Sequence, residues 1–432
     1  MVQVAIIGGG LGGLVLALNL HKRNISTAIY ESRSETDIHG GSIALAPNAL
    51  RVLDRVGAYE ALRVRGFIYE QIHFVNGKGA EIGFVFHGNR GLYNFPALRI
   101  KRSVLREELV RLVKREGIPI FWDKKCVHVV SETAATDPES SGSATVEFSD
   151  GERVSAGFVV GADGIHSRVR PFIAPDVGDP TFDGLMGITG TIHADELGDL
   201  LEKAGLHIPC MLFGAKGSIG ILPSSFDGKE IEWFANLEAE DRSREEWTRF
   251  GSDGQGMKDL ILQRFLYDDK IDQWPEMVRQ LMLKTRPEAF TNWPFYTLPH
   301  VEHWSSPHKR VLLIGDAAHA IPPTGGQGAA MAFEDADTLS YVLTRAYSPD
   351  FNQATNLSDL VTKWEHHRQE RIVEITTFTS QNGRMRRSST YVYEQVAKEW
   401  IIWAALKIKG PQGGAAWIFS YTPEDILAAI SL

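Results

Sequence analysis

Residues 4–20 read VAIIGGGLGGLVLALNL, an almost unbroken run of apolar residues and glycines. A secretory signal would need a cationic segment before the apolar run, and only Met1, Val2 and Gln3 precede it. A membrane-spanning helix needs about 20 apolar residues, and five glycines within six positions would build one poorly. Another reading accounts for every part. Val4–Ile7 is a short apolar strand buried on both faces. Gly8, Gly10 and Gly13 stand at GxGxxG spacing, residues 14–23 read as a helix, and a second apolar strand, Thr27–Tyr30, ends at Glu31. In such a unit Gly8 permits the tight turn, Gly10 lets backbone approach a pyrophosphate, and Gly13 lets helix pack on strand. The helix N-terminus presents unpaired N–H groups to phosphate, and Glu31 is placed to accept from the ribose hydroxyls. The opening stretch predicts a dinucleotide site.

The chain has 432 residues, enough for two or three domains. Its net charge of −9 argues against a large nucleic-acid surface. The one notable basic run, Arg384-Met385-Arg386-Arg387, reads as a solvated helix face. Two distant cysteines, Cys126 and Cys210, exclude a CxxC pair and a disulfide scaffold, and they suit a reducing, cytoplasmic setting. No metal-ligand cluster is legible, and no stretch is long enough to span a bilayer. The segment WIIWAALKI, residues 400–408, reads as a core-facing helix, with peripheral membrane contact as the alternative.

Three further stretches matter. RVLLIGDAAHAIPPTGGQGAAM begins as an apolar strand, reaches Asp316 at its carboxyl end, and passes through a Pro/Gly loop into a helix near Gly328. Open α/β sheets bind ligands at that end of their strands. The Asp316 carboxylate suits a polyol chain, and backbone N–H groups at Gly328–Ala330 favour negative charge. FAD offers both a ribityl chain and an ionisable ring; a nicotinamide alone offers neither. GADGIHSRVR repeats the form, with Asp163 directed at the phosphates and Arg170 holding the loop. In the region 180–295, CMLFGAKGSIGIL and IEWFANLE read as neighbouring strands whose alternation would turn Met211, Phe213, Ile221 and Trp233 into a pocket.

Taken together, the fingerprint, GADGxHSxVR and GDAAHxxPPxxGQG resemble the group A FAD-dependent monooxygenases, the family of para-hydroxybenzoate hydroxylase, salicylate hydroxylase and the tetracycline-inactivating enzymes. The resemblance runs from Val4 to about Leu343. It implies that Gly8, Gly10, Gly13 and Glu31 hold the ADP half of FAD. It also implies that Ala44 lies near the ribityl chain, Arg102 along the flavin and Asp316 on the ribityl hydroxyls, while Pro323 packs on the ring and Gly328 and Ala329 present amides. Ala330 stands where many members have Asn. The Arg and Tyr that some fungal members use to hold a phenolate are not seen in FDGLMGITG or GSIGILPSS. The family's chemistry uses NADPH or NADH as transient reductant, and a flavin C4a-hydroperoxide transfers one oxygen atom from O2 to a small apolar or aromatic substrate. No second GxGxxG provides a separate nicotinamide domain.

The expected fold class is α/β: a Rossmann-like FAD-binding domain assembled from residues 1–175 and 296–345, an inserted β-sheet substrate domain at 176–295, and a helical region at 346–432. No catalytic side chain is assigned, and His319 reads as a residue packed under the loop. Rival expectations on this fold are a halogenase, a double-bond reductase or a non-catalytic escort. The halogenase lacks its WxWxIP signature, because the segment here reads NWPFYTLPH.

Overall fold

The computed structural model describes residues 3–37, 40–135, 142–267, 274–321, 325–384, 389, 391–424 and 426–427. Val4–Ile7 lies at the centre of a five-stranded parallel sheet. Its neighbours are Thr27–Tyr30 on one side and Phe158–Gly161 on the other, with Ile120–Phe121 and Val311–Leu313 outermost. The three inner strands are buried throughout. Covered on both faces, such strands need near-continuous apolar residues, and that is what makes them legible as runs. Each large apolar side chain so buried contributes about 1.5–3 kcal/mol.

The helix Leu11–Lys22 packs over this sheet, buried from Gly13 to Leu20. It lies against the 19-residue helix Gly328–Ala346 and against Arg102–Arg115. Small residues set how closely the first pair approaches: a Cβ on Gly12 would stand 3.3 Å from that of Ala332. Between the second and third strands of the parallel sheet's core the chain also forms a three-stranded antiparallel sheet, Cys126–Thr133, Ser143–Phe148 and Arg153–Ala156.

The second large sheet has seven strands: Phe290–Thr297, Thr181–His193, Glu230–Glu238, Gly217–Pro223, Cys210–Gly214, Gln71–Asn76 and Glu81–Phe86, in that order. The hairpin Gln71–Asn76 with Glu81–Phe86 adds to this sheet through a parallel pairing of His73 with Cys210. One face of the sheet is covered by helices, among them Gly254–Phe265 and Glu276–Lys284. Toward the end of the chain run two long helices, Gln353–Arg384 and Val392–Lys409. The second is not the core helix its apolar stretch suggests: Ile402 is buried, whereas Trp400 and Ile401 are exposed.

Candidate functional site

Parallel pairing brings the carboxyl ends of four strands to one edge of the five-stranded sheet, where Gly8, Glu31, Asp163 and Asp316 follow. The glycines divide the work there. Gly8 has φ +109°, and a Cβ on it would come within 2.4 Å of the Ala162 carbonyl oxygen. A Cβ on Gly13 would lie 2.1 Å from the Gly8 oxygen. These two are required by protein contacts. Gly10, the N-cap of helix Leu11–Lys22, is exposed and has only one protein atom near a Cβ, at 4.0 Å. It borders open space over a helix N-terminus with no acidic residue in its first turn, where anionic groups are favoured. Glu31 accepts from the N–H groups of Gly9 at 2.6 Å and Arg33 at 2.9 Å, and from the Ser32 hydroxyl at 3.1 Å. A carboxylate has about four acceptor positions, which leaves capacity for a further donor.

Asp163 first serves its own loop. One carboxylate oxygen accepts from the N–H groups of Arg168 at 2.6 Å and Val169 at 3.4 Å; the other is buried without a hydrogen-bond partner. Burial pushes this carboxyl above the ordinary range, opposed by hydrogen bonds from Ser167 and the loop amides. Arg170 fixes the loop as expected, and it also joins the two motifs. Its guanidinium donates to the Ile165 carbonyl at 2.9 Å and the Ala317 carbonyl at 3.1 Å.

Asp316 begins the turn Asp316–His319 after Gly315, whose φ is +59°. Asp316 is exposed, but the protein packed around its carboxylate partly desolvates it. That desolvation raises its carboxyl, opposed by His319 and Arg102. Arg102 starts the helix Arg102–Arg115; its backbone N–H donates to the Gly41 carbonyl at 3.0 Å, while its guanidinium makes no hydrogen bond or ion pair with a described residue. Desolvation lowers its pKa, opposed by Asp316, and its guanidinium lies 5.8 Å from the ring centre of Trp293. Ala44 is paired with Arg99 in the small sheet formed by Ser42–Leu45, Ala97–Lys101 and Phe67–Tyr69. Gly328 and Ala329 form the half-buried first turn of Gly328–Ala346, and nothing lies within 4 Å of a Cβ on Gly328. Pro323 lies outside the described residues.

Beneath this edge is a charged support that sequence reading missed. Asp335 accepts from the Gly315 N–H at 2.9 Å, from His319 Nε2 at 2.5 Å and from Arg368 Nε at 2.8 Å. Arg368 also donates to Glu334 at 2.8 Å, and Arg371 donates to the same carboxylate at 3.0 Å. Asn48 connects Glu334, at 2.8 Å, to Gln327, at 3.2 Å, the residue that precedes Gly328. All of these side chains are buried. Burial favours protonated Asp335, but His319 and Arg368 outweigh it and hold the carboxyl down at about 2. His319 is thus packed under the loop, as expected. The signal was present in the sequence as Glu334-Asp335 and as Arg368 and Arg371 three residues apart, but nothing in it pairs them.

The expected pocket wall needs correction. Ile221 is paired with Cys210 and with Trp233, and both Ile221 and Trp233 are fully buried in the layer beneath the outer helices, where the Trp233 indole donates to Thr285 Oγ1 at 3.0 Å. Met211 and Phe213 are on the opposite face, but Ile402 and Leu406 of the helix Val392–Lys409 cover them. Strand alternation was read correctly within each strand; the register between them places Met211 opposite Gly220. The face that meets the nucleotide edge is marked by Glu232, paired with Arg99 at 2.5 Å, and by Trp293 beside Arg102. Register adds Phe234, Thr189 and Thr291 to it. Trp293 remains 48% exposed, so an aromatic surface is open beside Arg102.

The FAD binding domain family matches residues 1–379. A 3-amino-4-hydroxybenzoate 2-monooxygenase of Streptomyces platensis is 30% identical over 353 residues, covering 80% of each chain. Salicylate hydroxylase of Pseudomonas putida is 27% identical over 398 residues, covering 89% of this chain and 85% of the relative. Among solved structures, a salicylate hydroxylase substrate complex superposes with a TM-score of 0.76 at 21% identity, covering 99% of this chain and 98% of that one. The FAD complex of a Klebsiella pneumoniae HpxO variant gives 0.77 at 18% identity, covering 97% and 99%. These two superpositions speak to the fold.

Proposed function

The chain belongs to the FAD binding domain family of flavin-dependent monooxygenases, and from that premise we propose that it uses NADPH or NADH to drive insertion of one oxygen atom from O2 into a small apolar or aromatic molecule. The observation that carries the reading is the juxtaposition along one edge: open Gly10, an underused Glu31, an exposed Asp316, the first turn of Gly328–Ala346, and an Arg102 whose guanidinium has no ion pair among the described residues and lies beside the exposed ring of Trp293. These donors and acceptors fit FAD end to end. The fingerprint backbone and the helix N-terminus hold the pyrophosphate, and Glu31 takes a ribose hydroxyl. Asp316 takes the ribityl hydroxyls, and the amides of Gly328 and Ala329 meet negative charge on the ring.

When bound, FAD supplies the redox and oxygen chemistry; the protein orients the substrate and excludes water. Trp293 closes the substrate side with an apolar ring, and Arg102 keeps a positive charge against the ring edge. His319 does not move protons for the reaction, since its Nε2 is committed to Asp335 and the side chain is buried beneath the loop. The relatives' aromatic-acid substrates belong to those enzymes; here the substrate-facing cation Arg99 is neutralised by Glu232, which favours a ligand with little negative charge.

The test is spectroscopic. Purified protein freed of excess cofactor should absorb near about 370 and 450 nm and bleach on addition of NADPH or NADH, as flavin-borne chemistry requires. Oxygen uptake with a matching substrate should then give a product heavier by one oxygen atom. A colourless protein that FAD does not reconstitute would sink the proposal. A halide or a hydrogen pair in the product, in place of oxygen, would replace monooxygenation with one of its rivals.

A further inference from the structure

The helix Val392–Lys409 uses one face to cover the seven-stranded sheet and leaves the other open. Inward, Ile402 and Leu406 pack on Met211, Phe213 and Phe74, and Gln395 donates to the Phe213 carbonyl at 3.0 Å. Outward, Tyr393, Val396, Trp400, Ile401, Trp403 and Ile408 are all exposed, Ile408 by 84% and Trp400 by 64%. Trp400 and Trp403 meet edge to face at 5.5 Å. Most large apolar side chains of a soluble surface stand alone; a contiguous strip such as this marks an interaction site.

The charges on the helix are sorted as sharply as its apolar residues. Neither of its acids is exposed: Glu394 accepts from the Tyr391 N–H at 3.3 Å, and Glu399 accepts from Gln395 at 3.0 Å and Asn76 at 3.4 Å. Lys407 and Lys409 flank Ile408 and are exposed, with the Lys407 ammonium 6.0 Å from the Trp403 ring centre. The strip is therefore apolar, aromatic and locally basic on a chain of net charge −9.

We propose that this face is a peripheral membrane contact for a lipid surface carrying anionic headgroups. Indole and phenol rings are favoured at the boundary between headgroup and acyl chain. Lysines beside them keep their ammonium groups in the headgroup layer while their stems follow the apolar surface. The helix lies in the plane of such a boundary and does not cross it, since no helix of the described residues is long and apolar enough to span a bilayer. A second copy of the chain laid on the same strip would cover the rings but would bring no exposed carboxylate from this helix to Lys407 or Lys409. Anionic lipid supplies that charge.

The experiment is flotation of the full FAD-loaded chain with phosphatidylcholine vesicles, alone or mixed with phosphatidylglycerol, following indole emission. The chain should float with the mixed vesicles and shift its emission to the blue. Replacing both lysines (Lys407→Gln with Lys409→Gln) should weaken binding about thirtyfold, because each basic residue at an anionic surface contributes roughly fivefold. Trp400→Ser with Trp403→Ser should abolish both binding and shift; should that variant misfold, the lysine pair still decides. Retained flavin absorbance confirms that each variant is folded and separates this outcome from that of the proposed catalysis. Absence of flotation, or binding that ignores phosphatidylglycerol and the lysines, overturns the proposal. A dimer dispersed by Trp400→Ser, without vesicle binding, assigns the strip to a second copy and overturns it equally.

Discussion

Asp316 and Asp335 are both partly or wholly desolvated by surrounding protein, but the protein treats their charges in opposite ways. Asp335 is fully buried and closely satisfied: His319, Arg368 and the Gly315 N–H all donate to it, and its carboxyl is held at about 2. Asp316 is exposed, has no ion pair among the described residues, and is raised by desolvation that His319 and Arg102 only oppose. The same division separates Glu334, held low by Arg371 and Arg368 against its burial, from Asp163, raised by burial with one oxygen unpartnered. Acids of the support are satisfied by protein, whereas acids at the edge keep capacity for a ligand. A group whose pairing is finished builds the scaffold, and one left unfinished by the chain marks where something else binds.

The largest test of this contrast is Arg368→Ala. It leaves Glu334 and Asp335 buried without their shared cation, and breaking a buried pair in this way costs about 3–5 kcal/mol. Thermal unfolding of the holoprotein should fall by several degrees, and flavin should be lost because Gly315 and Gln327 are released together. Unchanged unfolding would mean that the support contributes nothing to the edge.

Acid titration sharpens the comparison at a smaller magnitude. The Asp335 pKa drops on folding from 3.8 to about 2. Its stabilisation is therefore complete above the unfolded value and is lost as pH falls through that window, by about 2 kcal/mol. Asp316 and Asp163 act in the opposite sense: their raised values favour the protonated folded chain at low pH, and this contribution is lost as pH rises through the folded values. Urea midpoints should drop between pH 4 and about 2, and Asp335→Asn should flatten that drop. An equally steep drop in the variant would show that Asp335 is not the acid being titrated.

How much of this was legible depended on how local each requirement is. Gly8 and Gly13 answer to atoms a few residues or one strand away, so their spacing announces the turn. Asp163 and Asp316 follow apolar strands whose burial is written in their composition. The support was hidden because Arg368 meets Asp335 across 33 residues and two helices, with no periodic signal to pair them. The pocket wall failed for a related reason. Alternation shows which residues of one strand share a face, but only register between strands tells that Ile221 sides with Cys210 and Trp233. The membership of the 71–86 hairpin in the large sheet likewise rests on a parallel pairing made more than a hundred residues later. Local chemistry was readable, and the surface opposite it was not.

The smallest expected effect isolates the unfinished acid itself. Asp316→Asn removes a charge that pairs with no buried cation and keeps the side-chain shape, so the fold should tolerate it. Its unfolding midpoint without FAD should hold or rise slightly, since the cost of desolvating a carboxylate disappears. FAD should nevertheless bind less tightly, by about tenfold, the scale of one charge-assisted hydrogen bond of roughly 1.5 kcal/mol. Equilibrium titration of apoprotein with FAD, beside urea unfolding of the same apoprotein, separates the two quantities. A variant that loses stability and affinity together would place Asp316 with Asp335 in the support. One that loses affinity alone keeps the two acids on different sides of the same loop, one finished by the chain and the other awaiting its ligand.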